Sequence, residues 1–341
     1  MAGATLKSVA QRAGVSVSTA SRALSGNTSI SAATRANVVA AAKELGYRLN
    51  TQARALRRSR TDAIGLIIPS LVNPFFAEMA AAVEEEALRQ GFATIISSSA
   101  EDADKMVNAA LALADRQVDG IIVVPMEGTV AALSTIAASR PLLLLDRQLG
   151  ELPAIVSSPA EGMKGAITRL RTLEHTRIGY LAGPQDTSTG RERLAVFNAE
   201  TNNLNTVIYQ GGYRHKEGYV GTLSLLKEGA TAIIAGDSMM TFGALEACHN
   251  AGITIGEELA LVGFDDFIFL RYQPTPLSVI DQDVATLGTL AARSLITAIN
   301  SASAPVGLQH PTRFISRLSS AYPPTVPGGG IRKLLAQGAT P

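Results

Sequence analysis

From residue 63 to residue 264 the chain alternates short, unbroken apolar runs with amphipathic stretches, and that rhythm leaves few folds open. Residues 63–69, 92–97, 120–124 and 141–146 read as strands, with helices over 74–90, 102–116 and 129–139 between them. An apolar run without polar alternation suits a strand covered on both faces, the condition of a parallel sheet flanked by helices. Right-handed helical crossovers then wind the sheet doubly. The pattern recurs as helix 161–173, strand 177–182, helix 191–200, strand 206–210, helix 219–226, strand 233–235, helix 240–251 and strand 259–264. AIGLIIPSLVNPFF from Ala63 and RIGYLAGPQDTS from Arg177 both set an apolar strand before a polar loop and a helix. Two similar α/β lobes in series predict a cleft between them, lined by the loops at the strand C-termini. Residues 274–283 read as irregular, 284–300 as an amphipathic helix returning to one lobe, and 323–341, with Gly328-Gly329-Gly330, as a flexible tail. Ile331 to Leu335 spans less than one heptad, so no C-terminal coiled coil is expected.

The first sixty residues follow different rules. They hold ten Lys or Arg against one acid, Glu44, whereas the remainder holds 20 against 28; the formal charge of +1 conceals this division. A small basic domain on an acidic bulk is the balance of a polyanion binder. Leu6, Val9, Ala10 and Ala13 recur at helical spacing, and Gly14 allows a left-handed turn. Ser16 can cap a second helix whose inward face is expected to be Val17, Ala20 and Leu24. Two short helices about a tight turn make either an ordinary helical hairpin or a helix-turn-helix, which lays its second helix in a DNA major groove. After the Ser25-Gly26-Asn27 turn, Ser31 caps a third helix running to Leu45 and ended by Gly46. Val38, Ala41, Ala42 and Leu45 should close a core over Leu6, Val9 and Leu24. Residues 50–60, NTQARALRRSR, have no apolar stripe beyond Leu56. They read as a basic linker, or as a marginal helix that Asn50 can cap and that folds when its charges meet phosphates. A lone exposed Leu there suits a wedge that opens a minor-groove base step. The expected organisation is a headpiece over 1–49, a hinge over 50–60, a two-lobed core over 61–322 and a tail over 323–341.

Composition narrows the function. No run approaches the 18 or so apolar residues of a membrane span, and no signal-peptide pattern opens the chain. Cys248, alone, fits a reducing cytoplasm, and four scattered His give no metal-ligand spacing, so neither metal nor cofactor is expected. Gly-x-Ser-x-Gly, Walker and zinc motifs are missing, and GPQDTSTG at 183–190 lacks the Lys and spacing of a phosphate loop, so no catalytic residues are expected.

Jointly, Thr5-Leu6, Val9-Ala10, Ala13-Gly14-Val15-Ser16, Thr19, Ser21-Arg22 and Leu24 closely resemble the DNA-binding signature of the lactose-repressor (LacI/GalR) family of bacterial transcription factors. The likeness continues through Gly46-Tyr47, Leu56, Ile64-Gly65, Asn73-Pro74-Phe75-Phe76, Asp119-Gly120, IGYLAG at 178–183 and VGFDD at 262–266, and covers nearly all of residues 5–320. The resemblance implies an all-α helix-turn-helix headpiece on an α/β core of two doubly wound, periplasmic-binding-protein-like lobes. It implies a homodimer whose headpieces read a near-palindromic operator, with Leu56 intercalating in the central minor groove. A small effector in the cleft would shift the angle between the lobes and so act on the hinges. The chain departs from the family pattern at Ser8, where an acidic residue is usual, at Gly236-Asp237, usually Asn-Asp, and at Pro159, usually Asp.

Val17 and Ser18 open the recognition helix, but neither makes a bidentate pair with a base; Arg22 can take guanine O6 and N7 or clamp a phosphate. Thr5, Ser16, Thr19, Ser21, Asn27 and Ser31 suit phosphate contacts. In the hinge, Asn50, Ala53, Arg54, Leu56 and Arg57 complete the expected DNA-facing set. Asn73, Phe75, Phe76, Asp146, Arg147, Arg193, Tyr213, Asp265 and Gln282 fall on strand-end loops and combine rings with carboxylates, guanidiniums and amides. Rings stack on the C–H face of a sugar while carboxylates and Arg hold its hydroxyls. The combination resembles the pentose-binding members and the ribose-binding proteins, although Val124 and Gly236 stand where Asn is common there. Plainer roles compete: a core position for Phe75, capping for Asp265 and Asp266, a surface pair of Arg193 with Glu192 or Glu200, and a self-satisfying Asp146–Arg147 pair. The expected function is a repressor whose operator affinity answers to a pentose-type effector. The alternatives are a purine- or nucleoside-responsive, co-repressed regulator and a sugar solute-binding protein, the last opposed by the basic headpiece.

Overall fold

In the computed structural model, which describes residues 4–25, 27, 29–47 and 60–324, hydroxyl side chains start all three helices of the N-terminal segment. Thr5 caps α1 (Leu6–Arg12), Ser16 caps α2 (Val17–Leu24) and Ser31 caps α3 (Ala32–Glu44), each accepting from the backbone N–H three residues on. At α1 the departure at Ser8 is resolved. The Ser8 N–H donates to Thr5 Oγ1 at 3.2 Å while the Thr5 N–H donates to Ser8 Oγ at 2.9 Å, so Ser closes the capping box that Glu or Gln ordinarily closes. Gly14 (φ +66°) and Gly46 (φ +62°) take the left-handed conformation that ends α1 and α3.

The helices pack around Val9, Ala10, Ala13, Ala20, Ala23, Val38, Ala41 and Ala42, with Leu6, Val15, Leu24, Ile30 and Tyr47 at the rim. Two expectations need correcting. Val17 is 46% exposed rather than inward, because the stripe of α2 that meets its neighbours runs through Ala20 and Ala23, whose small side chains let the helices approach closely. Leu45 is likewise exposed, standing at the C-cap of α3 beyond its last core turn. The hinge residues Asn50, Ala53, Arg54, Leu56 and Arg57, and residues 325–341 of the tail, lie outside the described residues.

The chain divides into two units, Met1–Thr61 and Asp62–Pro341. The second contains two six-stranded sheets of matching design. One runs β11-β5-β4-β3-β1-β2, from β1 (Ala63–Ile68), β2 (Ala93–Ser98), β3 (Gly120–Val123), β4 (Leu142–Leu145), β5 (Ala154–Ser158) and β11 (Leu308–Pro311). The other runs β12-β10-β9-β8-β6-β7, from β6 (Arg177–Ala182), β7 (Asn205–Gln210), β8 (Ala232–Ala235), β9 (Ala260–Phe264), β10 (Ser278–Asp281) and β12 (Arg313–Ile315). All neighbours are parallel except β10 and β12. The expected two doubly wound lobes are present, and the backbone passes between them at 158–160, 282–284 and 312.

Four strands escaped the sequence reading. Residues 274–283 are not irregular: they hold β10, an interior strand paired with β9 and β12. β5, β11 and β12 were not expected at all. Each is three to five residues long and carries polar or Pro positions, too short a run to show the apolar signal of β1 or β4. Helices Ser188–Glu200 and His215–Lys227 also begin a turn earlier than their apolar residues suggest.

Candidate functional sites

On the N-terminal unit, Val17, Ser18 and Arg22 stand on the exposed face of α2. Arg22 Nε donates to the Ser18 carbonyl at 3.3 Å, and Ser16 Oγ lies 3.0 Å from Ser18 Oγ and 2.8 Å from Thr19 Oγ1. Thr5, Ser16 and Ser31 are exposed N-caps, so each marks a helix N-terminus whose N–H groups and dipole favour a phosphate. Asn27 shapes its loop, accepting from the Ser29 N–H at 2.9 Å and hydroxyl at 2.7 Å, and Ser21 is half-buried. Glu44, the single acid of this basic segment, is bound to Arg12 at 2.8 Å. Arg22 is the one charged residue of α2.

Between the two lobes lies a small cavity. Asn73, Phe75, Phe76, Asp146, Arg147, Arg193, Tyr213, Asp265 and Gln282 all line it, together with Glu101, Thr189, Asp237 and Ser238. Asn73 caps helix Pro74–Arg89, which sets Phe75 and Phe76 in its first turn with ring centroids 5.0 Å apart and planes at 76°. Asp146 and Asp265 occupy equivalent places, one residue beyond β4 and β9. Both take the left-handed conformation (φ 68° and 63°), which costs a non-Gly residue about 1–2 kcal/mol. The next strand holds each in place, since the Asp146 N–H donates to Ile155 O and the Asp265 N–H to Ile280 O, both at 2.9 Å. Strain retained at matching points of two lobes is a mark of a functional site.

Gln282 is the hub of the wall formed by the second lobe. Its Oε1 accepts from Ser157 Oγ at 2.5 Å and from Arg193 Nη2 at 2.8 Å, and its Nε2 donates to Asp265 Oδ1 at 2.7 Å. Arg193 Nη1 reaches the Gly236 carbonyl at 2.7 Å, and the guanidinium lies 4.2 Å from the Phe264 ring centroid. Arg193 is thus buried inside this network rather than paired on the surface with Glu192 or Glu200. Ser157 and Gln282 sit on or beside two of the inter-lobe crossings, so the network ties the cavity to the pivot. Burial raises Asp265 to about 8 against the opposing pull of the Gln282 hydrogen bond and Arg193. Burial also lifts Asp237, the N-cap of helix Ser238–Asn250, to about 6 and raises Asp146 above the usual carboxylate range.

The first lobe's wall is looser. Arg147 is 6% exposed, its nearest carboxylates are Glu101 at 3.5 Å and Asp146 at 3.7 Å, and its Nε has no hydrogen-bond partner among the described residues. At the mouth, the Gln148 N–H of this lobe donates to Ser188 Oγ of the other at 2.9 Å.

Two departures have structural causes. Any side chain at Gly236 would collide with the Leu181 carbonyl oxygen, so the position serves through its carbonyl. Val124 is fully buried and does not line the cavity. Glu101, Thr189, Asp237 and Ser238 were not anticipated, although all follow strand ends. Thr189 was hidden by starting its helix too late, and Glu101 by the successive left-handed residues Ala100 (φ 53°) and Glu101 (φ 55°) that turn it inward.

Residues 5–50 match the family model "Bacterial regulatory proteins, lacI family", and residues 167–320 match "Periplasmic binding protein-like domain". The Ribose operon repressor of Haemophilus influenzae is 31% identical over 87% of this chain and 92% of its own length. The HTH-type transcriptional repressor PurR of Proteus mirabilis is 32% identical over 87% and 90%. Among solved structures, the Lac repressor dimer bound to operator and the anti-inducer ONPF superposes with a TM-score of 0.84 at 26% identity, covering 94% of this chain and 99% of that one. The transcriptional regulator CelR in complex with cellobiose gives 0.68 at 26% identity, covering 93% and 99%.

Proposed function

This chain belongs to the LacI family of bacterial regulatory proteins, and from that premise we propose that a pentose-type sugar held between its lobes sets its affinity for operator DNA. The protein is a DNA-binding transcriptional regulator of a family whose members are repressors rather than enzymes, acting as dimers that answer to small-molecule effectors. Its work lies in the bacterial cytoplasm, and no described helix is long and apolar enough to cross a membrane.

The observation that carries the sugar reading is the cavity's chemistry. Phe75, Phe76 and Tyr213 offer rings for a C–H face, while Asp146, Asp265, Arg147, Arg193, Asn73 and Gln282 offer paired donors and acceptors for hydroxyls. The Ribose operon repressor among the relatives agrees with it. On the DNA side, Val17, Ser18 and Arg22 read base edges. Thr5, Ser16, Thr19, Ser21, Asn27 and Ser31 hold phosphates, and Asn50, Ala53, Arg54, Leu56 and Arg57 serve the minor groove. The sugar acts as an inducer, needing only a few kcal/mol of preference for the lobe arrangement that releases DNA.

The purine repressors at 30–32% identity favour a second reading, a purine or nucleoside that strengthens operator binding. Thermal-shift screening with pentoses, hexoses, nucleosides and purines, followed by operator binding with and without each hit, separates the two. A pentose that raises Tm by several degrees and weakens operator binding supports the inducer reading. A purine that raises Tm and tightens binding supports the other, and loss of all operator binding at low salt would overturn both.

A further inference from the structure

The outward residues of α2 do not act singly. Ser16, Ser18 and Thr19 form a chain of hydroxyls: Ser16 Oγ accepts from the Thr19 N–H at 3.1 Å and lies 3.0 Å from Ser18 Oγ and 2.8 Å from Thr19 Oγ1. Arg22 closes on that chain from the next turn. Its Nε donates to the Ser18 carbonyl at 3.3 Å and its Nη2, at longer range, to Ser18 Oγ at 3.5 Å. The side chain therefore runs back along the helix and sets its guanidinium level with the first turn. In a helix-turn-helix, the N-terminal residues of the second helix are those that meet base edges.

Hydrogen-bonding capacity then divides the roles. Whichever way the protons of the chain run, Ser18 Oγ is engaged by both Ser16 and Arg22, which leaves it a single lone pair or its O–H. One such bond fits several bases and discriminates little. Arg22 keeps more. With Nε and the inner hydrogen of Nη2 turned to Ser18, its free edge is Nη1 and the outer hydrogen of Nη2, two donors that match guanine O6 and N7. No other residue of α2, VSTASRAL, offers such a fork. A long exposed side chain gives up rotamer freedom when it seats on a base, and one already held gives up less.

We propose that Ser18 is a positioning residue for operator recognition: it holds Arg22 along the first turn of α2 with the guanine-reading edge outward, so the preference for one G·C pair depends on both residues. Ser18 thus contributes to base reading through Arg22. The inference rests on the reading of this unit as a DNA-binding headpiece whose α2 meets base edges.

Fluorescence anisotropy on the full chain tests it. The probes are a duplex that the parent protein selects from a randomised pool, and the single-base-pair variants of that duplex. Preference profiles are measured for the parent, R22A, S18A and S18T. R22A should lose a preference of about tenfold at one G·C pair, which marks the pair that Arg22 reads. S18A should weaken the preference at that same pair by about threefold or more, with every other preference and the salt dependence of binding unchanged. S18T keeps the hydroxyl and should restore the parent's profile. A preference at the marked pair unchanged in S18A, or lost equally in S18T, overturns the inference. So does a loss in S18A at a different pair, which makes Ser18 a direct reader. Weakening of all sequences alike by R22A makes Arg22 a phosphate clamp and overturns the inference, while DNA binding by the headpiece stands. A parent protein that selects no sequence overturns the base-reading role of α2, and this inference with it.

Discussion

The two walls of the cleft are built on the same plan and finished differently. Each lobe sets a left-handed Asp one residue past a central strand and presents a buried Arg nearby. In the second lobe Arg193, Gln282 and Asp265 satisfy one another at 2.7–2.8 Å and are tied to Gly236 and Ser157. In the first, Arg147 stands 3.5 Å and 3.7 Å from its carboxylates. A satisfied buried network keeps its shape whether or not a ligand is present. An unsatisfied one gains most when a ligand supplies the missing partners. On the proposed reading the second lobe would supply a preorganised template and the first the wall whose pairing an effector completes, which is the property a ligand-driven closure needs.

Substitutions separate the walls, beginning with the largest effect. Arg193→Ala breaks the satisfied network and should lower stability by about 3 kcal/mol, read by denaturant or thermal unfolding, and abolish effector binding as well. Arg147→Ala should change stability by less than about 1 kcal/mol in either direction, since no close hydrogen bond of its Nε is lost, yet weaken effector binding at least tenfold. Equal stability losses in the two variants would erase the distinction.

The second wall also predicts a pH dependence. Asp265, raised from 3.8 to about 8, keeps its proton in the folded protein at pH values where the unfolded chain has released it. Its contribution to stability is complete below about pH 3.8 and is lost as pH rises to about 8, by at most ~1.4 kcal/mol per pH unit. Asp265→Asn mimics the protonated acid, so its Tm relative to the parent should rise steadily between pH 5 and pH 8. The smallest effect is a control outside both walls. Ser8→Ala opens the capping box of α1 and should cost about 0.5–1 kcal/mol in the N-terminal unit, with effector affinity unchanged.

Much of this was legible before any coordinates. Strands such as β1 and β4, covered on both faces, write themselves as unbroken apolar runs, and the loops at their ends carried the nine residues that the fold brings to one cavity. The parts that were not legible are those whose identity comes from a neighbour. β5, β10, β11 and β12 are defined by pairing near the crossings rather than by composition. Val17 carries an apolar side chain on an exposed face, which no periodicity reveals. Glu101 enters the cavity through two consecutive left-handed residues that nothing in SSAED announces. The difference between Arg147 and Arg193, two buried arginines of the same cleft, lies wholly in distances.

Operator binding by Arg147→Ala, measured with and without the sugar that releases the parent protein, tests the central claim most directly. The variant should hold operator DNA with the parent's affinity and remain bound at sugar concentrations that release the parent. Release at the same concentration would show that the first lobe's wall is not what the effector completes.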